Sequence, residues 1–348
     1  MKIFLCYLLC ATFISITPLH AREFETLLDE NGKAFDFVTN KSPIIRINFG
    51  ISCTATWLSP DGLMLTNIHC IESCLYMYAE KEDIPGTVMD SNGNKPYYIY
   101  RLKVNSLSDI QCEFNNVMGL EAQILSLGAH AWIPPEFKAS LRENYREIHD
   151  KLLQEGVNGI NGLGDFALLK IVRTSPVQPI NLSRGIYFSY PPSCLKLSQT
   201  PIAPEQEVRG LSYPDIERPK FKIERQIYSP MVSKGIFIKR DKHPIFSFQE
   251  IEDYFGSDKE TIFSSVDAES GSSGSPLLDN NGDVLALVYA TLAPRDAYLE
   301  GGTIAIPMET ILRKFNKDLG EDFVFNLLNN SCTHSDDTDK LLKLLLKI

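Results

Sequence analysis

Short apolar stretches, punctuated by turn residues and charges, recur at close spacing through most of the chain, which is the pattern of a β-rich fold. Pro43-Ile44-Ile45-Arg46-Ile47-Asn48-Phe49 reads as a first strand. Residues 53–70 read as two apolar strands joined by a Ser59-Pro60-Asp61-Gly62 turn, with His69 closing the second. Further strands are expected at 97–104, 119–126, 207–211, 224–229, 235–237, 261–265 and 284–290, with a closing strand over 301–307. Asp279-Asn280-Asn281-Gly282-Asp283 is a hairpin turn. Helical periodicity interrupts this rhythm over 136–154, where Phe137, Leu141, Tyr145, Ile148 and Leu152 share one face between Pro134-Pro135 and Gly156. A second helix is expected over 308–316, and the leucine- and lysine-rich residues 340–348 suggest a helical tail.

The chemistry concentrates in three segments. In Gly271-Ser272-Ser273-Gly274-Ser275-Pro276, small residues allow a tight turn that exposes a serine. Ser273 sits at its apex, and the amides of Gly271 and Ser273 can point into one pocket to hold a developing oxyanion. His69 follows the second strand of the first hairpin and is flanked by Cys70, with Cys53 one hairpin earlier. A Cys53–Cys70 disulfide would fix the loop that carries the imidazole. Asp165 opens the apolar run Phe166-Ala167-Leu168-Leu169, and an acid at the mouth of a buried strand needs hydrogen-bond donors such as a histidine N–H.

The order His69, Asp165, Ser273 is that of chymotrypsin-fold peptidases, and here the chain resembles a family. Ser59-Pro60-Asp61-Gly62-Leu63-Met64-Leu65-Thr66-Asn67-Ile68-His69-Cys70 is similar to the histidine motif of the bacterial chymotrypsin-fold dipeptidyl-peptidases, and Gly164-Asp165-Phe166 resembles their aspartate motif. The segment from Asp267 to Asp279 is similar to the serine motif of glutamyl endopeptidases. The resemblance, to trypsin-like serine peptidases of the secreted bacterial branch, implies a mostly β fold of two packed six-stranded antiparallel β-barrels, with a helical insertion in the first barrel and C-terminal helices. It implies Ser273 as nucleophile, His69 as general base and acid, Asp165 as the residue that orients the imidazole, and Gly271 and Ser273 as the oxyanion hole. The peptidase domain is expected over 44–316, with the first barrel at about 44–180 and the second at about 200–306. A helical tail follows over 317–348.

Specificity is less legible. Asp267 lies six residues before Ser273, the offset at which trypsin-like enzymes carry the carboxylate that selects basic substrates. The histidine that selects acidic substrates in glutamyl endopeptidases is replaced here by Val288 or Tyr289. Dipeptidyl-peptidases of this fold carry a large helical domain between the aspartate and serine motifs, and the 107 residues between Asp165 and Ser273 leave no room for one beside the second barrel. The expectation is an endopeptidase acting on proteins or peptides. The alternatives are an inert chymotrypsin-fold binding or adhesion protein and, at greater distance, an esterase.

Lys2, an apolar run over residues 3–16 and Pro18-Leu19-His20-Ala21 outline a signal peptide cleaved after Ala21, too short for a membrane span. Residues 22–43, with only Phe24, Leu27 and Leu28 as apolar anchors, read as an arm or prosegment. Six cysteines remain beyond the leader, an even number that favours disulfides in an exported chain and permits fifteen pairings. They form no metal motif, and no cofactor is expected. The formal net charge of −10 argues against nucleic acid as a partner. No later segment is long and apolar enough to cross a membrane as a helix, and the expected location is periplasmic or extracellular. Oligomeric state is not legible.

Overall fold

A computed structural model describes residues 25–26, 43–48, 51–83, 98–113, 120–132, 164–174, 193–199, 202–214, 231–241, 261–292, 302–329 and 332. The expected leader, the helix over 136–154, the strand over 224–229 and the segment 340–348 lie outside these residues.

The first of two large sheets contains β2 (Ile44–Asn48), β3 (Ser52–Trp57), β4 (Leu63–Thr66), β7 (Gln111–Glu113), β8 (Leu120–Leu127) and β10 (Ala167–Thr174). Its order is β2-β3-β4-β10-β8-β7. Ile47 on β2 shares one apolar cluster with Ile124 on β8 and Cys112 on β7, so the sheet curls until its far edges enclose a common core. It is a curled half-barrel; among the described residues no pairing joins β2 to β7. A small sheet of β5 (Ala79–Asp83), β6 (Tyr98–Leu102) and β9 (Ala131–Trp132) lies beside it. The connection after β4 carries the short helix α1 (Glu72–Leu75), and a Cys74–Cys112 disulfide ties that helix to β7.

The second sheet closes into a barrel. It is built from β11 (Glu207–Ser212), β12 (Met231–Asp241), β13 (Thr261–Ser264), β14 (Pro276–Leu278), β15 (Val284–Leu292) and β16 (Gly302–Pro307). The order β12-β11-β14-β15-β16-β13 returns on itself because β13 also pairs with β12. The 11-residue β12 makes closure possible, since its first half pairs with β11 and its second half with β13. A two-residue strand, β1 (Glu25–Thr26), adds to the start of β12.

Period-two alternation distributes side chains between three apolar clusters. On β10, Ala167, Leu169 and Ile171 fill the first sheet's interior, while Leu168 and the preceding Phe166 face the second barrel. On β16, Ala305 enters the second barrel's interior, whereas Ile304 and Ile306 face outward to the contact with the first. The inter-barrel cluster is completed by helix α2 (Met308–Leu319), whose Met308, Ile311 and Phe315 form one buried stripe. Phe315 meets Phe166 edge to face at 6.1 Å between ring centroids. The far end of α2 is held on β8, where Ser126 Oγ donates to Asp318 Oδ2 at 2.6 Å. Gly320, at φ 90°, ends α2 three residues beyond the expected stop, and α3 (Glu321–Asn329) follows. A Cys194–Cys332 disulfide joins the inter-barrel connection to the segment beyond α3.

The shared Phe315 contact makes a direct prediction. Phe315→Ala removes a fully buried ring from the seam between the barrels, and denaturant unfolding is expected to show a loss of about 3–5 kcal/mol. A loss below about 1 kcal/mol would show that α2 does not hold the two halves together.

Candidate active site

Antiparallel register brings the first two candidate groups together. β4 and β10 pair with Thr66 opposite Ala167, so the residues just past the end of β4 face those just before the start of β10. His69 does not close the strand: β4 stops at Thr66, and residues 67–71 turn, with Cys70 N donating to Asn67 O and Ile71 N to Ile68 O. That turn carries His69 back over Asp165. The Asp165 carboxylate accepts the His69 backbone N–H on Oδ1 at 3.0 Å and faces the ring Nδ1 with Oδ2 at 2.5 Å. Because the carboxylate oxygen accepts, the ring proton belongs on Nδ1, which leaves the Nε2 lone pair available as a base. The two side chains are 21% and 19% exposed, wet enough to meet a substrate and dry enough for their pairing to be strong.

Asn67, fully buried, holds the backbone of the acid: its Nδ2 donates to Asp165 O at 2.6 Å. Tyr289 on β15 packs on the same side. Burial first, and the negative charge of Asp165 second, push its phenol well above the ordinary tyrosine pKa, so it remains protonated beside the carboxylate. A Cys53–Cys70 disulfide, with Cα atoms 5.9 Å apart, anchors the histidine turn to β3. The sulfurs of that bridge and a ring nitrogen of His69 lie within 4.8 Å of one another, but bridged sulfurs are not thiolates, so this is no metal site.

Ser273 occupies the turn before β14. Its neighbours are hydrogen-bonded into the loop: Ser272 N donates to Glu269 O, Ser275 N to Ser272 O, and Gly274 N to Val288 O at 2.8 Å. The three serines of this loop differ sharply. Ser272 Oγ accepts from Glu269 N and donates to Ser212 Oγ, Ser275 Oγ donates to Ser272 O at 2.6 Å, and both residues are buried. Ser273 alone is half-exposed, and its hydroxyl makes no hydrogen bond to the described residues. The amides of Gly271 and Ser273 likewise have no acceptor among the described residues.

The first barrel supplies the other wall. Thr54 N on β3 donates to Ser273 O at 2.8 Å, and Cys70 Sγ lies 3.9 Å from the same oxygen. The serine loop is thus packed against the strand and the disulfide that hold the histidine turn. Gly274, at φ +82°, sits so close to β3 that an added Cβ would lie 2.0 Å from Thr54 O. Of the candidate specificity residues, Asp267 is half-buried and its backbone N donates to Ser233 Oγ at 2.8 Å, whereas Val288 packs inside the second barrel with Val208 and Phe237.

Three residues of this site escaped the sequence reading: Thr54, Thr56 and Asn67. Thr56 Oγ1 donates to Gly274 O at 3.2 Å, and both threonines are fully buried. The signal was the alternation Cys53-Thr54-Ala55-Thr56-Trp57, in which one face of an otherwise apolar strand carries only hydroxyls.

The family model for the trypsin-like peptidase domain matches residues 53–287. Similar solved structures include the inactive form of Rv3671c from M. tuberculosis H37Rv, 14% identical over 81% of this chain and 89% of that one, with a TM-score of 0.39. A serine endoprotease from Yersinia pestis is 13% identical over 82% and 66%, with a TM-score of 0.37. The HtrA-type protease AlgW with decapeptide is 15% identical over 77% and 53%, with a TM-score of 0.36. No curated protein sequence matches this chain.

Gly274 separates steric from conformational cost. Gly274→Ala is expected to lose about 1–2 kcal/mol for the left-handed backbone and a further ~1–3 kcal/mol for the clash with Thr54. Gly320→Ala, also at positive φ but with nothing within 4 Å of the new Cβ, is expected to lose only the first part. Equal melting temperatures for the two variants would contradict the close approach of loop and strand.

Proposed function

The chain belongs to the trypsin-like peptidase domain family and has the fold of a chymotrypsin-like serine protease, and from that premise we propose that it is an exported serine endopeptidase acting through an acyl-enzyme. The observation that carries the reading is the paired donation from His69 to Asp165, next to a loop in which only Ser273 keeps its hydroxyl uncommitted.

Ser273 Oγ attacks the scissile carbonyl carbon while His69 Nε2 takes its proton; Asp165 holds the imidazole in the tautomer that makes this possible and stabilises the cation that forms. The carbonyl oxygen, now negative, is received by the amides of Gly271 and Ser273. Collapse of the tetrahedral intermediate expels the amine, which takes the proton from His69, and water then releases the acid by the same steps in reverse. Tyr289, kept protonated by burial and by Asp165, adds no second negative charge beside the acid.

We assign the peptidase domain to residues 44–316, the arm to 22–43 and the helical tail to 317–348, with residues 1–21 as an export signal. Three disulfides among the six cysteines beyond the leader suit an oxidising compartment. The first substrate pocket is assigned to the region of Asp267, Val288 and Tyr289. Cleavage within chains, rather than of terminal dipeptides, follows from the 107 residues between Asp165 and Ser273, which the second barrel largely occupies.

Residues 22–348 treated with a fluorophosphonate are expected to gain one phosphonyl group on Ser273, and Ser273→Ala is expected to gain none. Labelling that persists in Ser273→Ala, or none in the parent, overturns the reading. On a cleaved protein substrate, Asp165→Asn is expected to lower kcat by about 10⁴-fold, because its amide favours the wrong histidine tautomer. A loss below about tenfold would remove Asp165 from the role given to it.

A further inference from the structure

The oxyanion-binding amides lie on a glycine-bounded loop, and glycine has no Cβ to decide which way its peptide planes face. Gly271 is at φ +91°, a conformation with close competitors for this residue type. Something outside the loop must therefore fix its orientation. Thr54, fully buried on β3 of the first barrel, makes the contacts that can do so.

The Thr54 hydroxyl accepts the backbone N–H of Tyr213 at 3.0 Å and donates to Gly271 O at 2.8 Å. A hydroxyl has one proton, and acceptance from Tyr213 orients the group so that this proton goes to the Gly271 carbonyl. The peptide that follows Gly271 is then held at both ends, because its N–H, that of Ser272, donates to Glu269 O at 2.9 Å. The Thr54 backbone N–H takes the carbonyl of Ser273, at 2.8 Å. One residue thus grips the loop at two carbonyls, those of Gly271 and Ser273, each joined through its Cα to the preceding peptide that carries an assigned amide, and Thr66 Oγ1 in turn secures Thr54 O at 3.0 Å.

We infer that Thr54 is a positioning residue for catalysis: through its side-chain hydroxyl, the first barrel holds the Gly271–Ser272 peptide of the second in place, and with it the loop that carries both assigned amides. The inference rests on the catalytic reading of Ser273 given above. It predicts a transition-state effect, because the amides gain most when negative charge forms on the bound oxygen. Thr54→Val keeps the shape of the side chain and removes its hydrogen bonds. Thr54→Ser keeps the hydroxyl and removes a methyl group.

The test is the rate of phosphonylation of residues 22–348 by a fluorophosphonate, a reaction in which the Ser273 Oγ–P bond forms, fluoride leaves and the serine proton passes to His69. Saturation kinetics separate the maximal rate, kinact, from the binding constant, KI. Thr54→Val is expected to lower kinact by about 10–100-fold, somewhat less than outright loss of an oxyanion donor, with KI within about twofold. Thr54→Ser is expected to restore kinact to within about threefold of the parent. Ser126→Ala, which loses a buried hydroxyl bonded to Asp318 on α2 and none of the hydrogen bonds of the serine loop, serves as the control for loss of a buried hydroxyl and is expected to react at the parent's rate. Should Thr54→Val not fold, Thr54→Ala carries the same comparison. An unchanged kinact in the folded hydroxyl-less variant, failure of Thr54→Ser to recover, or an equal loss in Ser126→Ala overturns the role of Thr54 while leaving Ser273 in place. No labelling of the parent removes the catalytic reading and this inference with it.

Discussion

The hydrogen bonds between β3 and the loop that carries Ser273 underlie the whole site, because they fix that loop of the second barrel against the sheet that carries His69. Thr54 N to Ser273 O, Thr54 Oγ1 to Gly271 O and Thr56 Oγ1 to Gly274 O stitch the strand to the loop. The same strand carries Cys53, whose bridge to Cys70 anchors the histidine turn. The stitches are polar, yet they lie beside an apolar seam formed by Phe166, Leu168, Ile304, Ile306 and Phe315. Burial holds the barrels together, and unsatisfied backbone groups would be the penalty for sliding. Directional bonds inside an apolar contact give one register instead of many.

Electrostatics on the first barrel follow from the same economy of backbone. Asp165 precedes β10 by two residues, and the turn past β4 offers it three donors in succession: Asn67 Nδ2 to its carbonyl, and the His69 N–H and Nδ1 to its two carboxylate oxygens. An acid so served holds an imidazole tautomer, and burial with the nearby Asp165 charge keeps the Tyr289 phenol protonated. The serine loop shows the complementary logic. Ser272 commits its hydroxyl to Ser212 on β11 and Ser275 commits its own to Ser272 O, whereas the Ser273 hydroxyl makes no hydrogen bond to the described residues.

Much of this was readable in the sequence where local pattern and tertiary demand agree. The hairpin from β3 to β4, the turn at Asp279 to Asp283, the strand expected over 284–290 and the helix starting at Met308 all carry their own signals, and the structure places elements there. β5 gave no such signal, because Glu80-Lys81-Glu82-Asp83 looks like a solvated loop. Its strand exists through pairing with β6, and Lys103 just past the end of β6 first, and Arg101 on it second, draw the Glu82 carboxyl below its usual range. β12 was expected only over 235–237 because Lys234, Lys239 and Arg240 mask its length, which barrel closure requires. The two expected six-stranded units are both present, the second as a closed barrel and the first as a sheet that the described strands curl around one core. At the site, the motifs exposed His69, Asp165 and Ser273 as candidates, whereas Thr54 and Asn67 could not be found alone. A threonine in a strand reads as ordinary β-propensity, and only the partner barrel reveals what its hydroxyl is for.

The most direct test of this account is a crystal structure of residues 22–348 after reaction with a fluorophosphonate. The account predicts phosphorus bonded to Ser273 Oγ, with the phosphonyl oxygen within hydrogen-bond distance of the amides of both Gly271 and Ser273 and His69 still paired with Asp165. Phosphorus on another residue, or an oxygen turned away from those amides, would contradict it.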